Sequence, residues 1–142
     1  MVIPDPKHPN SVLVLKRSTK PGIGLWCIPG GFIKYGEPPT ESAVREAYEE
    51  TGAEVEIGSV LRAGLVDYSY RGRNICIVEI AYLARLRRAD AAVRKVSSEA
   101  SAILFAPVEE LLAAPERLAF PEQAEVLSAY QSRLLSHGAV FP

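Results

Sequence analysis

Residues 11–17, Ser-Val-Leu-Val-Leu-Lys-Arg, are dense in β-branched and aliphatic types and predict a strand. Residues 18–24 hold two glycines and a proline and predict a loop. A short apolar piece over 25–28 leads into Pro29-Gly30-Gly31. Over 39–51 the apolar spacing turns helical, with Val44, Ala47, Tyr48 and Thr51 on one stripe expected to face the core. Pro38-Pro39 marks the start of this helix, Thr40 is the expected N-cap, and Gly52 stands just past its end. Residues 53–70 predict a long strand bent at Gly58 or Gly64. A turn at Arg71-Gly72-Arg73-Asn74 returns the chain along a second strand over 75–86. A polar stretch over 87–98 predicts a loop, and 102–106 a short strand. A short helix follows over 108–113, led by Pro107, and a closing helix runs over 121–136 from Pro121. Strands interleaved with helices predict an α/β or α+β sandwich.

Composition narrows the class. At 142 residues with 48% apolar content, the chain is expected to be one domain, 1–142, with a core of its own. Sixteen basic and 17 acidic side chains leave a net charge of -1, which argues against a nucleic-acid binder. Cys27 and Cys76 make no disulfide framework; both are expected as small apolar core residues in a reducing compartment. No apolar run approaches the roughly 20 residues of a membrane span. The first ten residues show no signal-peptide pattern, so a cytoplasmic location without a membrane partner is expected.

The helix over 39–51 carries the candidate chemistry. Glu46 and Glu50 lie four apart on the side opposite the apolar stripe, and Arg45 and Glu49 are spaced to pair. Together with Glu41 these carboxylates crowd one short helix, where their repulsion costs stability that a divalent cation removes. Mg²⁺ takes carboxylate and water oxygens and completes its shell with substrate phosphate. An acidic face alone is most simply a solvated helix surface. The preceding Gly30-Gly31 changes that balance, because backbone without a Cβ lets a ligand approach closely.

Residues 31–53, GFIKYGEPPTESAVREAYEETGA, match G-x5-E-x7-R-E-U-x-E-E-x-G-U, where U is apolar. Gly31, Glu37, Arg45, Glu46, Glu49, Glu50 and Gly52 fill the fixed positions, with Ala47 and Ala53 at the apolar ones. Chance agreement is on the order of 10⁻⁹ per starting point at average residue usage. The segment resembles the Nudix box. Trp26 to Gly31 is similar to that family's lead-in, and Phe105 to Leu111 to its late strand-to-helix segment. The resemblance implies the Nudix fold, an α/β/α sandwich around a mixed β-sheet. It also implies Mg²⁺-dependent, or Mn²⁺-dependent, hydrolysis of a nucleoside diphosphate linked to a group X. By motif position it makes Glu46, Glu49 and Glu50 the metal ligands and Arg45 their orienting partner. Glu37 then holds the loop or an outer metal, and Gly31 offers its carbonyl.

Outside the box, Glu99 occupies the loop where many members of the family carry a catalytic acid, and with Glu49 it is a candidate base for the attacking water. Glu79, in an otherwise apolar strand, needs a partner or an exposed edge. Arg62 is placed to reach a phosphate. Tyr68 is the candidate ring for a base, with Trp26, Tyr70 and Phe105 as alternatives that are equally well core residues. Gly30, Gly31, Arg62 and Tyr68 are therefore the expected substrate-binding set.

The identity of X is read from weaker resemblances. The stretch of proline and tryptophan that marks NADH-hydrolysing members is missing, as is the proline some fifteen residues beyond the box in the ADP-ribose type. Tyr68 is similar to a tyrosine of dinucleoside polyphosphate hydrolases, whereas Leu118-Ala119-Phe120-Pro121 resembles a tail of ADP-ribose-pyrophosphatase-like members. ADP-ribose or a nucleotide sugar is the expected substrate. Dinucleoside polyphosphates, nucleoside triphosphates, and a sensor that binds nucleotide without turnover are the alternatives. A homodimer is also expected. Only Met1-Val2-Ile3 precede Pro4, so the first strand of the sheet is expected to be nearly missing and its neighbour's edge open.

Overall fold

The structure is a computed structural model that describes residues 1–70, 72–88, 93 and 98–137. The elements run β1 (Ser11–Arg17), β2 (Trp26–Cys27), α1 (Pro39–Thr51), β3 (Val55–Tyr70), β4 (Arg73–Leu86), β5 (Ala100–Pro107), α2 (Val108–Ala113) and α3 (Gln123–His137), with a 3-10 turn at Pro115–Arg117 before α3. β1 pairs antiparallel with β2 and β5, and β3 pairs antiparallel with β4.

The N-terminal segment joins these two sheets. Val2 bridges Leu83 of β4 in parallel and Pro4 bridges Val12 of β1 antiparallel. The Val2 amide donates to the Tyr82 carbonyl at 2.8 Å, and the Leu13 amide donates to the Ile3 carbonyl at 2.9 Å. The edge expected to stand open is thus filled, and the argument for a homodimer from an unpaired first strand fails. Three residues suffice because Val2 and Ile3 lie flat between two longer strands and are fully buried.

Side chains alternate across this mixed sheet, and both faces are covered. Val2, Val12, Val14, Ala81 and Leu83 point to one side and meet Val108 and Leu111 of α2 and Val126, Leu127 and Tyr130 of α3. Ile3, Leu13, Tyr82, Ala84 and Leu86 point to the other and meet Ala47 of α1. A run such as Val12-Leu13-Val14-Leu15 is apolar at every position because each face has a helix layer to bury against. This is an α/β fold of three layers.

Local expectations shift in several places. The N-cap of α1 is Pro38, with no side-chain cap; Pro39 takes the first helical position and Thr40 falls inside the first turn. Tyr48 is 56% exposed, whereas Ser42 and Glu50 are buried with Ala47 and Thr51. The buried stripe is rotated because α1 packs against the Pro29-Gly30 loop as well as the sheet. β3 changes register between Ile57 and Val60 and again between Val60 and Arg62, so the bend lies near Gly58 and not at Gly64. Pairing reaches Tyr70 and Arg73, leaving a two-residue connection. β5 is longer than expected, and α3 starts two residues after Pro121. Cys76 is exposed, unlike buried Cys27. Most of the loop expected over 87–98 lies outside the described residues, as does the side chain of Tyr70.

Candidate active site

The site is assembled where the β2–α1 loop lies against the inner side of α1. Three hydrogen bonds hold the loop's entrance. The Ile28 amide donates to Gln123 Oε1 at 3.0 Å, the Met1 amino nitrogen donates to the Pro29 carbonyl at 2.6 Å, and the Gly30 amide donates to Glu50 Oε2 at 3.0 Å. Gln123 is the first residue of α3, 95 positions away in sequence from Ile28. Sequence reasoning missed it, and a lone glutamine at a helix start carried no signal.

Arg45 ties the rest of the loop to the helix. Its Nε and Nη2 donate to the two oxygens of Glu37 at 2.7 and 2.9 Å. Nη1 donates to Glu46 Oε1 at 2.6 Å and to Glu49 Oε2 at 3.0 Å, and Nη2 also reaches the Phe32 carbonyl at 3.2 Å. A planar guanidinium with five donors is suited to such a hub, where lysine is not. The Arg45 bonds, with the Lys34 amide, hold the Glu37 carboxyl down at about 2. The same carboxylates push Arg45 above its ordinary range.

Glu50 is the buried acid, 8% exposed. Desolvation raises its pKa to about 7; the Gly30 amide opposes the shift, and the charges of Glu46 and Glu99 add to it. Two further carboxylates thus act on Glu50, one from its own helix and one from the turn before β5. Gly31 makes the close packing possible. A Cβ there would lie 2.5 Å from Glu46 Cδ and Oε1.

Among the described residues, no three His, Cys, Asp or Glu side chains converge as a ready metal cage. The donor set fits Mg²⁺ nonetheless, because that ion keeps several waters and binds through one or two carboxylates plus substrate phosphate. Glu46 and Glu50 are the two carboxylates at the glycine loop. Glu49 is turned aside, with one oxygen on Arg45 and the other 3.6 Å from Lys34 Nζ.

The other expected residues are placed differently from one another. Glu99 sits in the turn before β5, where its carbonyl accepts from the Ser18 amide at 2.7 Å. Arg62 is committed to two acids, Glu125 of α3 at 2.7 Å and Glu79 of β4 at 3.5 Å, so a free phosphate-binding cation is not what the structure presents there. Glu79 thereby has the partner that a half-buried carboxylate needs. Its pKa is still raised, by desolvation and then by Glu122. Tyr68 meets Phe32 edge-on, with ring centroids 5.4 Å apart, and Phe120 at 6.3 Å with planes 30° from parallel. Trp26 and Phe105 pack against the two main core clusters.

Comparison with known proteins agrees with this architecture. The NUDIX domain family model matches residues 1–130. A candidate mutator protein, MutT4, of Mycobacterium tuberculosis (strain CDC 1551 / Oshkosh) is 32% identical over 142 residues, covering 96% of this chain and 54% of the relative. The ADP-ribose pyrophosphatase of Methanocaldococcus jannaschii is 40% identical over 72 residues, covering 50% of this chain and 43% of that protein. The chain spans about half the length of these curated relatives. The NUDIX domain of Shewanella oneidensis NrtR, solved in complex with ADP ribose, superposes with a TM-score of 0.68 at 25% identity, covering 87% of this chain and 77% of that one. With the box residues assembled around one glycine loop and the family model spanning nearly the whole chain, the protein belongs to the NUDIX domain family.

Proposed function

We propose that this chain is a pyrophosphohydrolase that cleaves a nucleoside diphosphate linked to a second group X, with ADP-ribose or a nucleotide sugar as substrate. The carrying observation is the convergence of buried Glu50 and Arg45-bound Glu46 on the Gly30-Gly31 backbone. The relative named an ADP-ribose pyrophosphatase and the ADP-ribose complex of a structural neighbour support the choice of X. We read residues 1–142 as one catalytic unit.

Glu46 and Glu50 are the residues that would hold a divalent cation, Mg²⁺ or Mn²⁺. Such an ion, when bound, neutralises diphosphate charge and lowers the pKa of a bound water. Arg45 positions Glu46 and fixes the loop through Glu37. Glu99 and Glu49 are the candidate proton acceptors for the attacking water; both oxygens of Glu49 are engaged by Arg45 and Lys34. The Gly30-Gly31 backbone, with Gly31 leaving space for the Glu46 carboxyl, is where the diphosphate would lie.

A panel of ADP-ribose, sugar nucleotides, NADH, diadenosine polyphosphates and nucleoside triphosphates, incubated with Mg²⁺ and separated by chromatography, tests this reading. AMP and ribose 5-phosphate should appear from ADP-ribose, and chelation should stop their release. Preferred turnover of a polyphosphate would move X to that class, and tight binding with no product from any compound would indicate a sensor.

A further inference from the structure

We propose that Arg62 is a positioning residue: together with Ser59 it fastens α3 to β3 and thereby sets Gln123 against the Ile28-Pro29-Gly30 backbone. This rests on the reading of the Gly30-Gly31 loop as the diphosphate site. Ser59 lies within the first register shift of β3, and Arg62 closes the second. Where a ladder slips, the plain alternation of the pleat is lost and side chains are re-aimed. Here they are aimed at α3, which meets them with two ties. Arg62 Nη2 pairs with Glu125 at 2.7 Å, and Arg133 Nη1 donates to Ser59 Oγ at 2.5 Å. Glu125 and Arg133 are eight residues apart in α3, about 12 Å along a helix axis. One tie would let the helix pivot, whereas two so far apart fix its rotation and its shift together.

The clamp reaches the site through the first turn of α3. Gln123 stands two residues before Glu125, is buried, and accepts from the Ile28 amide through Oε1 at 3.0 Å. The Pro29 carbonyl and the Gly30 amide that follow are bonded to Met1 and Glu50. A rotation of α3 would carry Gln123 off Ile28 and release the entrance of this loop. Arg62 is itself confined. Gly64 pairs with Glu79 across the strands, and a Cβ at Gly64 would lie 3.4 Å from Arg62 Nη1. Gly64 thus leaves room for the guanidinium, which is held between Glu79 and Glu125. The Glu125 side chain is 65% exposed, and an ion pair with so wet a partner adds little to stability. The pair therefore matters for where α3 sits more than for how firmly the chain folds.

Amide hydrogen exchange of the full chain, followed by NMR, tests the clamp without requiring turnover. Glu125→Gln and Ser59→Ala each remove one tie. In each variant the Ile28 amide should exchange about tenfold faster, the scale of one hydrogen bond lost. The Leu13 amide, which donates to the Ile3 carbonyl within the sheet, should keep its rate and so report an intact fold. With the substrate that the panel identifies, Glu125→Gln should raise KM about threefold at nearly unchanged kcat, because the placement of the loop acts on binding. Ile28 exchange unchanged in both variants, or Ile28 and Leu13 accelerated alike, would overturn the clamp. So would a KM raised by Arg62→Gln but not by Glu125→Gln, the pattern of a direct contact between Arg62 and substrate. Faster Ile28 exchange with no hydrolysis of any compound in the panel would instead overturn the pyrophosphohydrolase reading alone.

Discussion

Arg45 and Glu37 form a two-pronged ion pair, Nε to Oε1 at 2.7 Å and Nη2 to Oε2 at 2.9 Å, across eight residues of sequence. It closes the β2–α1 loop onto the helix that carries Glu46, Glu49 and Glu50. Arg45→Lys keeps the charge and loses the fork, so Glu37 and Glu46 can no longer be held together. Turnover should fall about 10- to 100-fold, the range seen when the partner of a ligand is removed, while the circular dichroism spectrum stays that of the parent.

Glu50 gives the metal-free protein a pH-dependent contribution of its own. Its folded pKa is raised from 4.5 to about 7, so the folded state binds this proton more tightly than the unfolded chain does. Stability from this group is present below about 4.5 and is lost as pH rises toward 7, a change on the order of 3 kcal/mol. With chelator present, the thermal midpoint of the parent should drop between pH 5 and pH 8 by more than that of Glu50→Gln. The amide keeps an acceptor for the Gly30 N–H and carries no charge. The same variant should lose activity by orders of magnitude, and near-normal turnover in both Glu50→Gln and Glu46→Gln would remove these residues from the site.

Gly31→Ala separates chemistry from stability. The added methyl would meet the Glu46 carboxyl at 2.5 Å, and that group is the far end of a flexible side chain. The fold can yield by displacing the carboxylate, so the thermal midpoint should change little. The reacting geometry cannot absorb such a shift, and kcat/KM should fall on the order of 100-fold, read from initial rates.

Gln123→Leu works in the opposite direction. It leaves the buried Ile28 amide without its acceptor, at a cost of about 1–3 kcal/mol in urea unfolding. Because the same amide fixes the approach to Pro29-Gly30, the KM for substrate should rise as well.

The chain's own letters were enough to locate β1, α1, the long hairpin of β3 and β4, and the helices that close the fold. These elements follow from period and punctuation, which are local: aliphatic runs, Pro38-Pro39, Gly52 and Gly72 act on their neighbours in sequence. The box residues were legible for the same reason, since fixed spacing on one loop and one helix places them together before any tertiary contact forms. Tertiary structure alone decided the rest. Val2 and Ile3 became a strand only because β1 and β4 offered edges on either side of them. Glu50 turned inward because the Gly30 amide and the Pro29 loop stood there to receive it, a contact that helical period does not encode. Arg62 was drawn to Glu125, 63 positions along the chain, by the packing of α3 over the sheet. Gln123 met Ile28, and Tyr68 met Phe32 and Phe120, through contacts whose positions depend on how the layers close and not on any local pattern of residues.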